Sequence, residues 1–202
     1  MPSFSRPAGF KQYMEVKGDL DNDSIDEIVY VFDTNKKDPK TGYSRILYIC
    51  KVVSGKIKIW KTNATVLKNS KECGFGIDAG QGPDVEIRNN ALIITQTFNA
   101  NNRNTSSTKN VFRFQNGGWF LIGTTVHDYD TCAFDFKYDI NFSTRQVNIA
   151  ETYGNCYDED NKLQEDQFYH FKYPVTTLIS IDGFKTGKRQ MRIPNTKKTF
   201  YY

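Results

Sequence analysis

The segment Gly18-Asp19-Leu20-Asp21-Asn22-Asp23-Ser24-Ile25-Asp26-Glu27-Ile28 places five acidic residues within nine positions. Counted from Asp19, carboxylates fall at positions 1, 3, 5 and 9, and an apolar run follows. Calcium is a hard cation that takes six to eight oxygens, and a tight loop supplies them from alternating residues. In that reading Asp19, Asp21 and Asp23 are side-chain ligands, Ile25 offers its carbonyl, and Glu27 closes the site. A bound cation would relieve the repulsion among the acids. The same residues also describe a metal-free turn whose side chains cap backbone amides and whose carboxylates are solvated. Both readings stand. A catalytic metal is disfavoured, because such loops surround the ion with protein oxygens and leave no open position.

Other chemistry is thin. The two histidines are His127 and His170. His127 precedes Cys132, so an enzyme built on that pair is one reading, but it needs the two groups to meet in space. His170 lies among Phe168, Tyr169 and Phe171, as a strand residue would. No zinc-protease, nucleophile-elbow or P-loop pattern occurs. The glycines at 74, 76, 80 and 82 lack the strand and helix of a phosphate cradle and predict a flexible loop. Two segments offer charge to a partner. Asp158, Glu159, Asp160, Glu165 and Asp166 form an acidic surface loop. Residues 185–202 carry six basic residues and no acid, while the remainder carries 21 basic and 23 acidic residues. The body is therefore not a basic nucleic-acid platform, and no nucleic-acid partner is expected.

The elements that must position these groups are short strands. Apolar or alternating runs recur at 27–32, 45–53, 56–61, 84–88, 91–98, 110–115, 118–123, 133–139, 145–150 and 168–173. Ser54-Gly55, Asn89-Asn90 and Asn116-Gly117 supply hairpin turns between them. Little helix is expected, one turn near 161–167, and the Asn-, Thr- and Ser-rich stretch 99–108 predicts a mobile connector. The fold class is all-β: an antiparallel β-meander of about ten strands, with a propeller-like arrangement as one form of it. The organisation expected is one β domain over 1–184 and a basic, solvated tail over 185–202. No apolar run reaches the roughly 18 residues of a membrane span. The 15 Phe, 12 Tyr and 2 Trp argue against disorder.

The acidic segment resembles the calcium loop of FG-GAP and integrin-type repeats, with Ser24 where glycine is usual and Glu27 where aspartate is usual. Four segments in order, 18–33, 45–53, 112–123 and 138–148, resemble a broad family of bacterial cell-envelope proteins. Members share an Asp-Leu-Asn/Asp-x-Asp loop, a Phe-Arg-Phe…Leu-Ile-Gly hairpin and an Asn-Phe-Ser-Thr-Gly turn. Here Arg145 replaces the glycine of that turn. The resemblance implies an exported or lipid-anchored protein of the periplasm or outer envelope, with no catalytic activity. No leader is visible at Met1-Pro2-Ser3-Phe4-Ser5, which fits either a cytosolic protein or a mature chain whose leader is replaced by an initiator Met; under the resemblance, the export signal or lipid anchor belongs to a precursor. By analogy with envelope proteins of similar size, the function expected is protein binding: an inhibitor or immunity protein that neutralises a secreted bacterial toxin. The acidic loop 158–166 would face that partner. The alternative is a calcium-stabilised surface module binding glycan or peptidoglycan, the calcium being structural in either case. The family reading also implies disulfides Cys132–Cys156 and Cys50–Cys73, against a cytosolic reading of four buried thiols.

Overall fold

Hairpin turns lay out the molecule. Ser54 and Gly55, Asn89 and Asn90, and Asn116 and Gly117 all have positive φ, between 49° and 75°. Paired left-handed residues make the two-residue turns whose twist matches that of the flanking strands. The structure is a computed structural model that describes residues 1–74, 82–154, 164–174 and 176–202. Its strands are β1 (Lys11–Gly18), β2 (Glu27–Asp38), β3 (Gly42–Val53), β4 (Lys56–Asn63), β5 (Asp84–Arg88), β6 (Ala91–Asn99), β7 (Asn104–Gln115), β8 (Gly118–Asp130), β9 (Phe134–Asn141), β10 (Gln146–Tyr153), β11 (Gln167–Lys172), β12 (Ile179–Ser180), β13 (Gln190–Arg192) and β14 (Thr199–Tyr201). The described residues contain no helix. Where a helical turn was expected, 164–166 are irregular and Gln167 opens β11; residues 161–163 lie outside the described residues.

The fold is an all-β antiparallel meander. One sheet has the order β1-β2-β3-β4. A larger one runs β11-β10-β9-β8-β7-β6-β5, with β12 added to β8, and β13-β14 form a separate hairpin. The main core lies between the sheets. Val29, Val31, Leu47 and Ile49 face Leu92, Ile94, Phe112, Leu121, Ile140 and Ile149. β2 is buried on both faces, which explains its unbroken apolar run. Its alternate residues Ile28, Tyr30 and Phe32 enter a second core on the far side of the small sheet. There Phe4 stacks on Tyr30 at 4.7 Å, and the N-terminal segment is bonded to β4 by Ile59 N–H to Pro2 O and Phe4 N–H to Ile57 O.

Three expectations are corrected. The polar stretch 99–108 is mostly strand: β6 and β7 pair as far as Asn99 and Thr105. Its Thr and Ser residues occupy half-buried strand positions, and Thr108 is buried. The segment 185–202 is not a solvated tail, because Met191, Ile193, Phe200 and Tyr202 are buried in the main core. Lys198 reaches the buried Glu151, whose other carboxylate oxygen accepts from Tyr138 at 3.0 Å.

The third correction is the Cys50–Cys73 disulfide, for both are free, buried thiols. Cys50 points from β3 into the second core, whereas Cys73 sits beside Asn99 at the end of β6, its carbonyl accepting the Asn99 N–H at 3.0 Å. Cys132 is disulfide-bonded, and its expected partner, Cys156, lies outside the described residues. Burial pushes the Cys50 thiol up to about 12, so almost no thiolate exists at neutral pH. We expect Cys50 to resist iodoacetamide in the native protein and to alkylate on unfolding, and Cys132 to alkylate only after reduction. Peptide mass spectrometry distinguishes these patterns, and native labelling of Cys50 would contradict the burial.

Candidate functional site

The acidic loop joins β1 to β2, and it is organised by its own backbone. Asp19 Oδ1 accepts the N–H groups of Asp21 at 3.2 Å, Asn22 at 2.6 Å and Asp23 at 3.3 Å, and Oδ2 accepts that of Ser24 at 3.0 Å. Burial acts to raise the Asp19 pKa, but these four donors outweigh it and hold the carboxyl below its usual range. Asn22 and Ser24 both sit at φ 65°. Ser24 therefore adopts the left-handed conformation for which glycine is usual, at a cost of roughly 1–2 kcal/mol. Asp23 Oδ1 accepts the Ile25 N–H at 2.8 Å, and Asn90 ties the loop to the β5–β6 turn by donating to Asp19 O at 3.1 Å.

Three of the five residues read as calcium ligands come together. Single carboxylate oxygens of Asp19, Asp21 and Glu27 lie within 4.8 Å of one another. The Asp23 carboxylate stands outside this group. Glu27 is buried and its Oε2 accepts the Leu20 N–H at 2.7 Å. Burial raises the Glu27 pKa above the usual carboxylate range, against the lowering effect of that bond and of Lys51.

A cation already occupies the loop, and sequence reasoning missed it. Lys51, on β3, directs its ammonium to a close ion pair with Asp21, and lies 3.7 Å from Glu27 and 3.8 Å from Asp23. It also sits 4.3 Å above the centre of the Trp60 ring. Its charged form is favoured despite burial, chiefly by the Asp21 hydrogen bond. The available signal was one lysine inside the apolar run 46–53, but nothing local says which acids it meets. Calcium needs six to eight oxygens. Here both oxygens of Asp19 and one of Glu27 accept backbone amides, and the Lys51 ammonium stands beside the group. The three carboxylates form a possible metal-binding cluster, for which the Lys51 ammonium competes with any metal ion.

The second candidate is the outer face of the large sheet. Alternation leaves Lys109, Thr125, Lys137, Asp139, Asn148 and Phe168 lining an open groove of about 620 Å³. Phe168 is 69% exposed. Polar pairs brace the face: Thr125 Oγ1 donates to Asp139 at 2.7 Å, and His170 Nδ1 lies 2.6 Å from Asn148 Oδ1. Of the acids expected to face a partner, Glu165 and Asp166 are exposed beside β11. Asp166 accepts the Tyr153 N–H at 2.9 Å. Asp158, Glu159 and Asp160 lie outside the described residues.

An enzyme reading would rest on His127 and Cys132. His127 Nε2 is 2.9 Å from Asp135 Oδ1, and Ser107 is its cross-strand neighbour. Yet Ser107 makes no hydrogen bond to the ring among the described residues. Cys132, being disulfide-bonded, offers no thiolate. No helix among the described residues is long and apolar enough to cross a membrane.

No protein-family model, curated protein or solved structure matches this chain.

Proposed function

We propose that this is a non-catalytic protein of the bacterial periplasm or outer envelope that binds and occludes a protein partner, as an inhibitor or immunity protein against a secreted toxin. The outer face of the large sheet carries the reading. It is a broad, hydrogen-bonded platform with an exposed aromatic anchor, Phe168, flanked by the acids Glu165 and Asp166. Aromatic anchors dominate binding energy at interfaces, and flanking charge sets partner choice and encounter rate. The acidic side favours a basic partner surface. The disulfide at Cys132 fits an oxidising compartment.

The test is retention of candidate toxins and envelope proteins on the immobilised protein, with calcium and with EDTA. The result expected is one protein partner retained in both conditions. Phe168→Ala should weaken that complex at least about tenfold while leaving the urea midpoint unchanged, because the ring is mostly solvated. Retention of no protein would remove the inhibitor reading.

The same groove favours one second reading, a glycan-binding module. An exposed ring beside the Asn148 amide, the Asp139 carboxylate and the Thr125 hydroxyl offers a face for sugar C–H groups and planar partners for sugar hydroxyls. Retention on peptidoglycan, lost in Phe168→Ala, would select it. In both readings Lys51 is the resident cation of the acidic loop, and calcium enters only where Lys51 is displaced.

A further inference from the structure

On the opposite side of the large sheet from the groove lies a cavity of about 620 Å³ between the 64–72 loop and the 185–188 turn. Its wall carries Lys68, Lys185 and Lys188, together with Thr65, Glu72 and Phe98. Three lysines and one acid thus line it. Elsewhere the partly buried lysines are matched: Lys51 meets Asp21 and Lys198 meets Glu151. Among the described residues, Lys68, Lys185 and Lys188 form no ion pair. Lys68 is half-buried, with its ammonium 5.6 Å from the centre of the Phe98 ring. Burial, joined by the like charge of Lys188, holds the Lys68 pKa below its usual range against the pull of Glu72 and Asp128.

This arrangement is built from below. Thr186, between the two turn lysines, has a hydroxyl that accepts from Gln96 Nε2 at 2.9 Å and from Asn110 Nδ2 at 3.0 Å, and lies 3.3 Å from Val66 O. Gln96 and Asn110 are buried. The Gln96 carbonyl accepts the Lys68 N–H at 2.6 Å, and its amide also donates to Val66 O at 2.9 Å. Thr124 completes the network by donating to Asn110 at 2.8 Å. The turn itself has Gly187 at φ 73° and closes with Lys188 N–H to Lys185 O at 3.3 Å. Buried polar networks are costly unless satisfied, and when satisfied they fix geometry. This one fixes the backbone of all three lysines toward a single cavity that contains too few acids to neutralise them.

We propose that this cavity binds a phosphate- or sulfate-type dianion, with Lys68, Lys185 and Lys188 as its charge partners. Lysine engages such groups as a mobile point charge, so three converging stems suit a compact oxyanion. The cavity is larger than a lone oxyanion, and Phe98, 39% exposed, walls the remainder. An organic carrier bearing the anion would rest there.

The experiment follows the amide resonances of Lys68 and of 185–188 during titration with inorganic phosphate and, separately, phenyl phosphate, with sodium chloride holding ionic strength constant. Saturable shifts confined to this cavity are expected. Lys188→Ala and Lys185→Ala, both exposed positions that leave the fold intact, should each weaken binding about tenfold, and Lys197→Ala should not. Tighter binding of phenyl phosphate assigns the site to a phosphorylated organic molecule, and equal binding assigns it to the free oxyanion. Shifts that fail to saturate, that chloride reproduces, or that persist unchanged in both lysine variants would overturn the proposal.

Discussion

Lys51→Met is expected to destabilise the native protein by about 1–3 kcal/mol at neutral pH, because the buried Glu27 and the partly exposed Asp21 lose their counter-ion. The variant keeps the length and most of the volume of the side chain, so the loss reports charge rather than a cavity. Asp21, Asp23 and Glu27 then face one another with no cation. Calcium should raise the urea midpoint of the variant and leave that of the wild type unmoved. Ligand present at about 100 times its Kd adds roughly 2.7 kcal/mol. Equal calcium responses in the two proteins would sink the claim that Lys51 holds the site.

The pH dependence has a definite sign. The Glu27 pKa is raised in the folded state. Its contribution is most favourable below the unfolded pKa and is lost as pH rises through the folded one. Lys51→Met should therefore recover part of its lost stability as pH falls from neutral through the raised Glu27 range. Asp19 behaves in the opposite way, because its folded pKa is lowered. Its contribution is present above the unfolded carboxylate range and disappears as pH falls through the folded value.

Phe200→Ala is expected to cost about 3–5 kcal/mol, the range for emptying an aromatic core position. Phe200 is buried and stacks on Tyr138 with ring centres 4.6 Å apart. Its neighbour Tyr201 is 54% exposed, and Tyr201→Ala should cost no more than about 0.5 kcal/mol. Urea unfolding of the two variants compares the same stretch of chain on its two faces. Small losses in both would restore the picture of a solvated tail.

The residue pattern revealed which faces of the strands are apolar, and it did so because alternation is local. The turns at 54–55, 89–90 and 116–117 were legible for the same reason: two adjacent residues with tolerance for positive φ announce a hairpin by themselves. The acidic loop was legible as a loop, and Asp19 does cap its amides. What covers a face, or what neutralises a charge, was not legible. Lys51 lies far along the chain from the acids it joins, and Lys198 reaches Glu151 across 47 positions. Six basic residues without an acid read as a solvated tail until Met191, Phe200 and Tyr202 are seen to fill the core between them. β1 escaped notice because an edge strand rich in Lys, Gln and Glu carries a weak apolar signal. Where Thr and Ser line the middle of an open sheet, composition suggested a loop and pairing made a strand.

The order of the strands has a kinetic consequence. From β1 to β4, and again from β5 to β11, each strand pairs with its neighbour in sequence. Such ladders close small loops at every step and incur little entropy loss before the first contacts form. A chain emerging with its N-terminus first can zip both sheets hairpin by hairpin. The segment after Tyr173 is different: β12 joins β8, Thr186 meets Asn110, and Phe200 reaches Tyr138, all across long separations. It is the natural last piece to dock and the first to peel away. The loss in Phe200→Ala then falls on the unfolding rate more than on the folding rate, and the lifetime of the folded molecule is governed by how firmly its C-terminal segment stays latched.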